Sequence, residues 1–118
     1  MPTDHVVALV ASYRSYLYAG APQGQLAAIY VRVTEAPEGD PQELRLLFYP
    51  TESELPRNRY EEDSGVGFAH ERVDRYADYM DLLRTEGSLD LSFGLETEPP
   101  YFVLASRDDA PRDAATGR

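Results

Sequence analysis

The sequence predicts an α+β domain in which an antiparallel sheet of about five or six strands packs against one helix. Several short segments place apolar residues at every second position, as half-buried antiparallel strands do. One segment, 74–86, instead spaces them three and four positions apart, which is typical of an amphipathic helix. Proline and glycine between the segments indicate turns, and turns make short connections. This order of elements favours a sheet with one helix on one face.

The predicted helix covers residues 74–86. Asp74 is placed to cap its first turn, and Gly87 stands where a left-handed residue commonly ends a helix. The apolar stripe along this segment indicates that the helix packs on the sheet. The stripe consists of Val73, Tyr76, Ala77, Met80 and Leu83, with Leu82 as an alternative to Leu83.

Strands are predicted on both sides of this helix. After the helix, residues 89–95 alternate leucine and phenylalanine with polar residues, and residues 101–105 follow Pro99 and Pro100 as a hairpin partner. Before the helix, three strands are expected, separated by turn-forming residues, and a polar loop is expected at 55–64. These three strands lie at 26–34, 44–49 and 66–72.

The first segment, residues 5–18, fits either a helix or a strand. Its valine and tyrosine content favours a strand, at least in its second half, and the glycine- and proline-containing loop at 20–24 suits a hairpin. The predicted order is then β-β-β-β-α-β-β. Residues 1–106 form the single domain, and residues 107–118 are expected to be a frayed tail carrying three aspartates.

Composition excludes several classes of function. The chain has 118 residues and no cysteine, so disulfides, thiolate metal sites and cysteine nucleophiles are ruled out. The sequence has no apolar stretch long enough to span a membrane, and its N-terminus lacks the pattern of a secretory signal. A cytoplasmic location is therefore expected. Neither a metal nor a cofactor is expected, because only two histidines are present and no phosphate-binding glycine loop occurs.

The formal net charge of −10 is unevenly distributed along the chain. Residues 35–63 carry a net charge of −6, whereas residues 1–34 carry +1. All eleven basic residues are arginines. Adaptation to salt and a GC-rich genome both account for this composition, and the sequence does not separate them.

The strongest binding signal is the alternation of tyrosine and arginine near the N-terminus. Aromatic rings that alternate with arginine can stack on the bases of single-stranded nucleic acid. Tyrosines also line sheet faces for structural reasons alone, and the net charge disfavours phosphate binding. The candidate interaction surface consists of Tyr13, Arg14, Tyr16, Tyr18, Tyr30 and Arg32.

Catalysis has little support in the sequence. His70 is the nearest candidate for a general base, but Glu71 would lie on the other face of a strand, which leaves only Asp74 within reach. The acidic run at 61–63 resembles a solvated turn more than a cation site. No catalytic residue is therefore predicted.

We expect a non-enzymatic interaction module. A single helix covers only part of the sheet, so part of one face stays exposed to solvent. An exposed face must be polar, curled into a barrel, or covered by a second copy. The first hypothesis is therefore a homodimer formed through the sheet. The alternatives are a single-stranded nucleic-acid binder that uses the tyrosine–arginine hairpin, and an acidic mimic of nucleic acid. A small enzyme that uses His70 is the remaining alternative.

Overall fold

Seven strands form one curled, mixed sheet in the computed structural model, which describes residues 5–20, 24–34, 36–37, 39–85 and 88–106. Their order across the sheet is β4-β5-β3-β2-β1-β6-β7. The described elements are β1 (His5–Leu17), β2 (Ala27–Val33), β3 (Glu43–Tyr49), β4 (Arg59–Glu61), β5 (Val66–Arg72), a 3₁₀ turn (Val73–Arg75), α1 (Tyr76–Thr85), β6 (Leu89–Gly94) and β7 (Tyr101–Ser106).

Strand β1 is long enough to take part in two sets of pairings. Its first half pairs antiparallel with β6, and its second half pairs antiparallel with β2. The register shifts between Val10 and Ser12, which marks a β-bulge. The bulge lets Val10 and Tyr13 lie opposite Val33 and Val31, so the same face of the sheet stays inward on both sides of it. The helix-or-strand alternative at 5–18 is thus resolved as a strand over residues 5–17.

The sheet differs from the prediction in strand number and in one pairing. The α+β class with one helix is confirmed, but there are seven strands in the described residues, and β3 pairs parallel with β5. The segment 50–65 supplies the crossover that parallel neighbours need. Within it, the predicted polar loop contains β4, which pairs antiparallel with β5. Its sequence, Arg-Tyr-Glu, carries no apolar alternation that could have shown it.

The helix lies on the inner face of the sheet and begins later than predicted. Asp74 belongs to the 3₁₀ turn and not to a cap, and Gly87 lies outside the described residues. Tyr76 and Tyr79 both present ring edges to Phe48, with centroids 5.2 and 5.7 Å away. Leu83 is buried, as the stripe predicts, whereas Ala77 is exposed.

Strands β6 and β7 curl over the inner face and complete the core. The Phe93 ring lies 5.7 Å from that of Phe102 and 6.4 Å from that of Tyr60. Gly67 allows β5 to approach β7, because a Cβ there would lie 2.7 Å from the Phe102 ring. The largest fully buried side chains are Phe48, Phe93, Ile29, Leu44, Leu46, Leu91 and Val31.

Two further expectations from the sequence concern the C-terminal tail and a membrane span. The predicted tail at 107–118 lies outside the described residues. Within the described ranges, no helix has the length and apolar character to cross a membrane.

Candidate functional site

One face of the sheet is turned away from α1, and we call it the outer face. Directly paired residues lie on the same side of a sheet, so the register places one residue from each of five strands side by side. The result is a line of alternating cations and rings, which we call the arginine–aromatic row. It consists of Arg14, Tyr30, Arg45, Phe68 and Arg59, on β1, β2, β3, β5 and β4.

Two guanidinium groups of this row, those of Arg45 and Arg59, lie over the neighbouring rings. Arg59 is 3.9 Å from the centroid of Phe68, and Arg45 is 4.5 Å from that of Tyr30 and 5.8 Å from that of Phe68. At these distances the negative face of the ring attracts the cation. The row therefore holds four of its five side chains in mutual contact. Arg14, at its end, has no ion-pair partner among the described residues.

Carboxylates on the outer face neutralise part of this charge. Glu43 is only 6% exposed and accepts hydrogen bonds from Arg32 Nη1 at 3.1 Å and Arg45 Nε at 2.6 Å. The bond to Glu43 raises the pKa of Arg45. At the opposite edge, Arg59 Nη1 donates to Glu61 at 2.6 Å, and this bond lowers the pKa of Glu61. The three pairs hold the guanidinium groups in fixed positions.

Three tyrosines cluster beside the free end of the row. Tyr16 lies 4.8 Å from Tyr30, with the ring planes tilted by 50°. The rings of Tyr16 and Tyr18 are nearly parallel, at 7°, and their centroids are 6.3 Å apart. Burial raises the pKa of Tyr18, and a hydrogen bond to Tyr30 raises it further. The Tyr18 phenol therefore remains a neutral hydrogen-bonding group near neutral pH.

A shallow cavity of about 310 Å³ opens on this part of the outer face. It combines aromatic rings, two cations, a carboxylate and a hydroxyl, which is the mixture expected of a polar ligand site. It is lined by Ser12, Tyr13, Arg14, Tyr16, Tyr30, Arg32 and Glu43.

The structure brings together most of the surface predicted from the sequence. Tyr30 and Arg32 lie opposite Arg14 and Ser12 in the β1–β2 pairing, as a hairpin requires. Tyr13 differs from the others, because it pairs with the buried Val31 and so belongs to the inner face by register. It still borders the cavity, since it lies between Ser12 and Arg14 on the strand. The remaining predicted residues, Arg14, Tyr16, Tyr18, Tyr30 and Arg32, cluster on the outer face.

Sequence reasoning missed the other half of this surface. Arg45 lies between Leu44 and Leu46 in the sequence, and this alternation could have marked it as outward-facing. Phe68 lies in the predicted strand 66–72, but its position beside Arg45 depends on the parallel pairing. Arg59 lies in the predicted loop. Glu43 stands at the very start of its strand.

His70 lacks the arrangement of a general base. Its Nδ1 atom is buried and has no hydrogen-bond partner among the described residues. Burial lowers the pKa of His70, and the nearby charge of Arg59 lowers it further. Glu71 turns to the inner face, where it accepts a hydrogen bond from Tyr79 at 2.7 Å. Asp74 is exposed in the 3₁₀ turn. No described carboxylate therefore orients the imidazole.

Several carboxylates that mimicry of nucleic acid would use are paired with arginines. Glu43 and Glu61 are paired on the outer face, Asp78 is paired with Arg75 of the 3₁₀ turn, and Asp81 is paired with Arg84 of α1. Nowhere in the described ranges do three metal-ligating side chains come together in a group that could hold an ion.

No protein-family model, curated protein or solved structure matches this chain. We therefore infer the function of the protein from the geometry of the outer face.

Proposed function

We propose that the protein is a non-enzymatic module that binds single-stranded nucleic acid on the outer face. The observation that carries this proposal is the arginine–aromatic row, which ends at the exposed Arg14 beside Tyr16 and Tyr18. Proteins that hold single strands combine aromatic platforms for the bases with cations for the backbone. Both elements occur here on one rigid sheet.

The tyrosine cluster supplies the platform for bases. Tyr16 and Tyr18 lie on consecutive outward positions, and their parallel rings are spaced by 6.3 Å between centroids. Aromatic rings of this kind can stack on the bases of a single strand. Each stacked base contributes about 1–3 kcal/mol in such sites.

Arg14 and Arg32 supply the cations for the phosphates. Both are exposed and both line the cavity, and Arg14 carries no ion pair among the described residues. Arg32 shares Glu43 with Arg45, so it keeps donors free for a phosphate. Arg45 and Arg59 are engaged with rings and carboxylates and act as the rigid support.

The formal net charge of −10 limits the affinity but does not prevent binding at this face. The arginine–aromatic row and its two glutamates leave a local excess of positive charge. Interactions over distances greater than about 8 Å are largely screened at physiological ionic strength. Carboxylates elsewhere therefore oppose binding less than their number indicates. We expect a dissociation constant of about 10–100 µM at low salt, within the range of non-specific binding.

Fluorescence anisotropy with labelled 12-nucleotide DNA and RNA strands tests the proposal. With two phosphate contacts, the logarithm of the affinity should fall against the logarithm of salt with a slope of about −1.4. Arg14→Gln should halve this slope. Arg84→Gln is the control, because Arg84 is also exposed but lies on α1, paired with Asp81 at 3.6 Å.

A second pair of variants tests stacking. Tyr16→Leu should weaken binding about tenfold, since it removes a platform worth about 1.4 kcal/mol. Tyr101→Leu is its control, because Tyr101 is exposed on β7 and does not line the cavity. The proposal fails if neither strand binds at 25 mM salt, or if Arg14→Gln and Tyr16→Leu bind as tightly as their controls.

A further inference from the structure

The cavity on the outer face has an aromatic end and a cationic end. Tyr16 and Tyr30 form the aromatic end, and Ser12 lies opposite Arg32 at the other end. Alternate residues of a strand are about 6.8 Å apart, so Arg32 lies one such step from Tyr30 along β2. A base that stacks on the tyrosines therefore presents an edge toward the guanidinium of Arg32.

A series of contacts fixes Arg32 relative to these rings. Arg32 Nη1 donates to one oxygen of Glu43 at 3.1 Å, and the other oxygen accepts from Arg45 Nε at 2.6 Å. Arg45 in turn lies over Tyr30, 4.5 Å from the ring centroid. The guanidinium of Arg32 is thus a positioned group, whereas Arg14 has no ion pair among the described residues.

The cavity offers hydrogen-bond donors more readily than acceptors. Arg14 and Arg32 both line it, and a guanidinium carries only donors. Glu43, the carboxylate in the lining, already accepts a hydrogen bond on each oxygen and is only 6% exposed. A base with an amino group facing Arg32 would set donor against donor. The cavity therefore favours a base whose edge carries acceptors.

Guanine matches a fixed arginine better than the other bases do. Its O6 and N7 atoms are neighbouring acceptors on one edge, and a planar guanidinium can donate to both at once. Adenine has an amino group beside N7, and thymine and uracil have an N–H group between their two carbonyls. Cytosine has neighbouring acceptors only on the side of its bond to the sugar, and its single ring covers less of an aromatic platform.

We propose that the cavity selects guanine and that Arg32 determines this preference. The inference rests on the proposed function and names the base that the cavity takes. Arg32 has further N–H groups besides the one that Glu43 holds, so it can contact a phosphate and a base edge together. Guanine in the cavity should bind about fivefold tighter than thymine. This is the lower limit for a bidentate contact, as the exposure of Arg32 requires.

Fluorescence anisotropy with four labelled 12-nucleotide DNA strands tests the preference. One strand contains only thymine, and the others alternate thymine with guanine, hypoxanthine or 7-deazaguanine. About half of the binding registers place a purine in the cavity, so the guanine strand should bind about threefold tighter than the thymine strand. A potassium-free buffer keeps the guanines from associating with one another.

The modified bases identify the atoms that are contacted. Hypoxanthine keeps O6 and N7 and lacks only the amino group on the other edge, so its strand should bind as tightly as the guanine strand. 7-Deazaguanine keeps the size of the ring system but has a carbon in place of N7, so its strand should bind about twofold more weakly than the guanine strand. A preference caused by stacking alone would survive this replacement.

Two variants test the role of the guanidinium. Arg32→Lys keeps the charge but loses the planar pair of donors, so the guanine strand should bind no tighter than the 7-deazaguanine strand. Arg84→Lys is the control, because Arg84 is also exposed and paired with a carboxylate, at 3.6 Å from Asp81, but lies on α1. It should keep the wild-type ratio. The measured quantity is a ratio of two affinities, which a general loss of affinity does not change.

The results separate this inference from the proposed function. If no strand binds at 25 mM salt, both are wrong. If all four strands bind with equal affinity, nucleic-acid binding stands and the preference for guanine is overturned. The inference is also overturned if 7-deazaguanine binds as tightly as guanine, if Arg32→Lys keeps the wild-type ratio, or if a strand that alternates thymine with cytosine binds as tightly as the guanine strand.

Discussion

The guanidinium of Arg45 lies 4.5 Å from the centroid of the Tyr30 ring, and this contact connects β3 to β2 across the outer face. It positions Tyr30 beside Tyr16, at 4.8 Å, and thereby shapes the cavity in which we propose that nucleic acid binds. The binding residues on β1 and β2 thus depend on a cation from a third strand. Stability and ligand binding are coupled through this row, and several expected outcomes follow from specific residues.

Glu43→Gln should lower stability and raise affinity for nucleic acid. Glu43 is buried between Arg32 and Arg45, so a neutral amide leaves two guanidinium groups with poorer acceptors. Breaking such a pair costs about 2 kcal/mol, less than in a deep interior, because both arginines reach solvent. Urea unfolding measures the loss of stability.

The same Glu43→Gln change removes one negative charge from the cavity, so anisotropy should show severalfold tighter binding. Glu98→Gln is the control, because its pair with Arg57 is exposed and 3.7 Å long. Equal behaviour of the two variants would contradict the role of Glu43.

Tyr79→Phe should weaken the attachment of α1 to the sheet. The Tyr79 hydroxyl donates to Glu71 at 2.7 Å, and burial together with this bond raises the pKa of Tyr79. Without the hydroxyl, a half-buried carboxylate loses its partner, at a cost of about 1.5 kcal/mol. Urea unfolding should show this loss, whereas Tyr101→Phe, whose exposed hydroxyl donates to Glu96, should change stability by less than about 0.5 kcal/mol. A larger loss in Tyr101→Phe would be inconsistent with this account.

Gly67→Ala should be destabilising by about 2 kcal/mol, because the new methyl group meets the Phe102 ring at 2.7 Å in the core. The double variant Gly67→Ala/Phe102→Leu should recover part of this loss relative to the sum of the single variants. Thermal or urea unfolding of the wild type, the two single variants and the double variant measures the coupling energy between the two positions. Simple additivity would show that Gly67 is needed for some reason other than the approach of Phe102.

His70 should make the folded state less stable in mild acid. Its pKa is lowered in the folded protein, so between the folded pKa and about 6.5 the unfolded chain binds more protons. The free energy of unfolding should therefore rise with pH in this window, and the stabilisation is lost as the pH falls through it. Urea midpoints from pH 8 to 5 measure the slope, which should flatten in His70→Gln. Glu61, whose pKa is lowered, affects the pH dependence of the free energy of unfolding only below about pH 4.5. An unchanged slope in His70→Gln would assign the effect to other groups.

Local patterns predicted most of the elements, because they report which side of each segment is apolar. Alternation identified β6, the two prolines after it indicated β7 as its hairpin partner, and the three- and four-residue spacing identified α1. The short strand β4 escaped detection, since three polar residues at an edge need no apolar face. The pattern also gave no sign of the parallel pairing of β3 and β5, because it shows the face of a strand but not its neighbour.

By itself, the sequence determined the α+β class, the inward and outward sides of most strands, and the tyrosine–arginine cluster on β1 and β2. Only the tertiary structure decided that Arg45, Phe68 and Arg59 continue this cluster and that β3 pairs parallel with β5. The physical reason is that side-chain alternation repeats every two residues and is local. Strand order instead depends on which distant segments bury each other's apolar faces and satisfy each other's backbone hydrogen bonds.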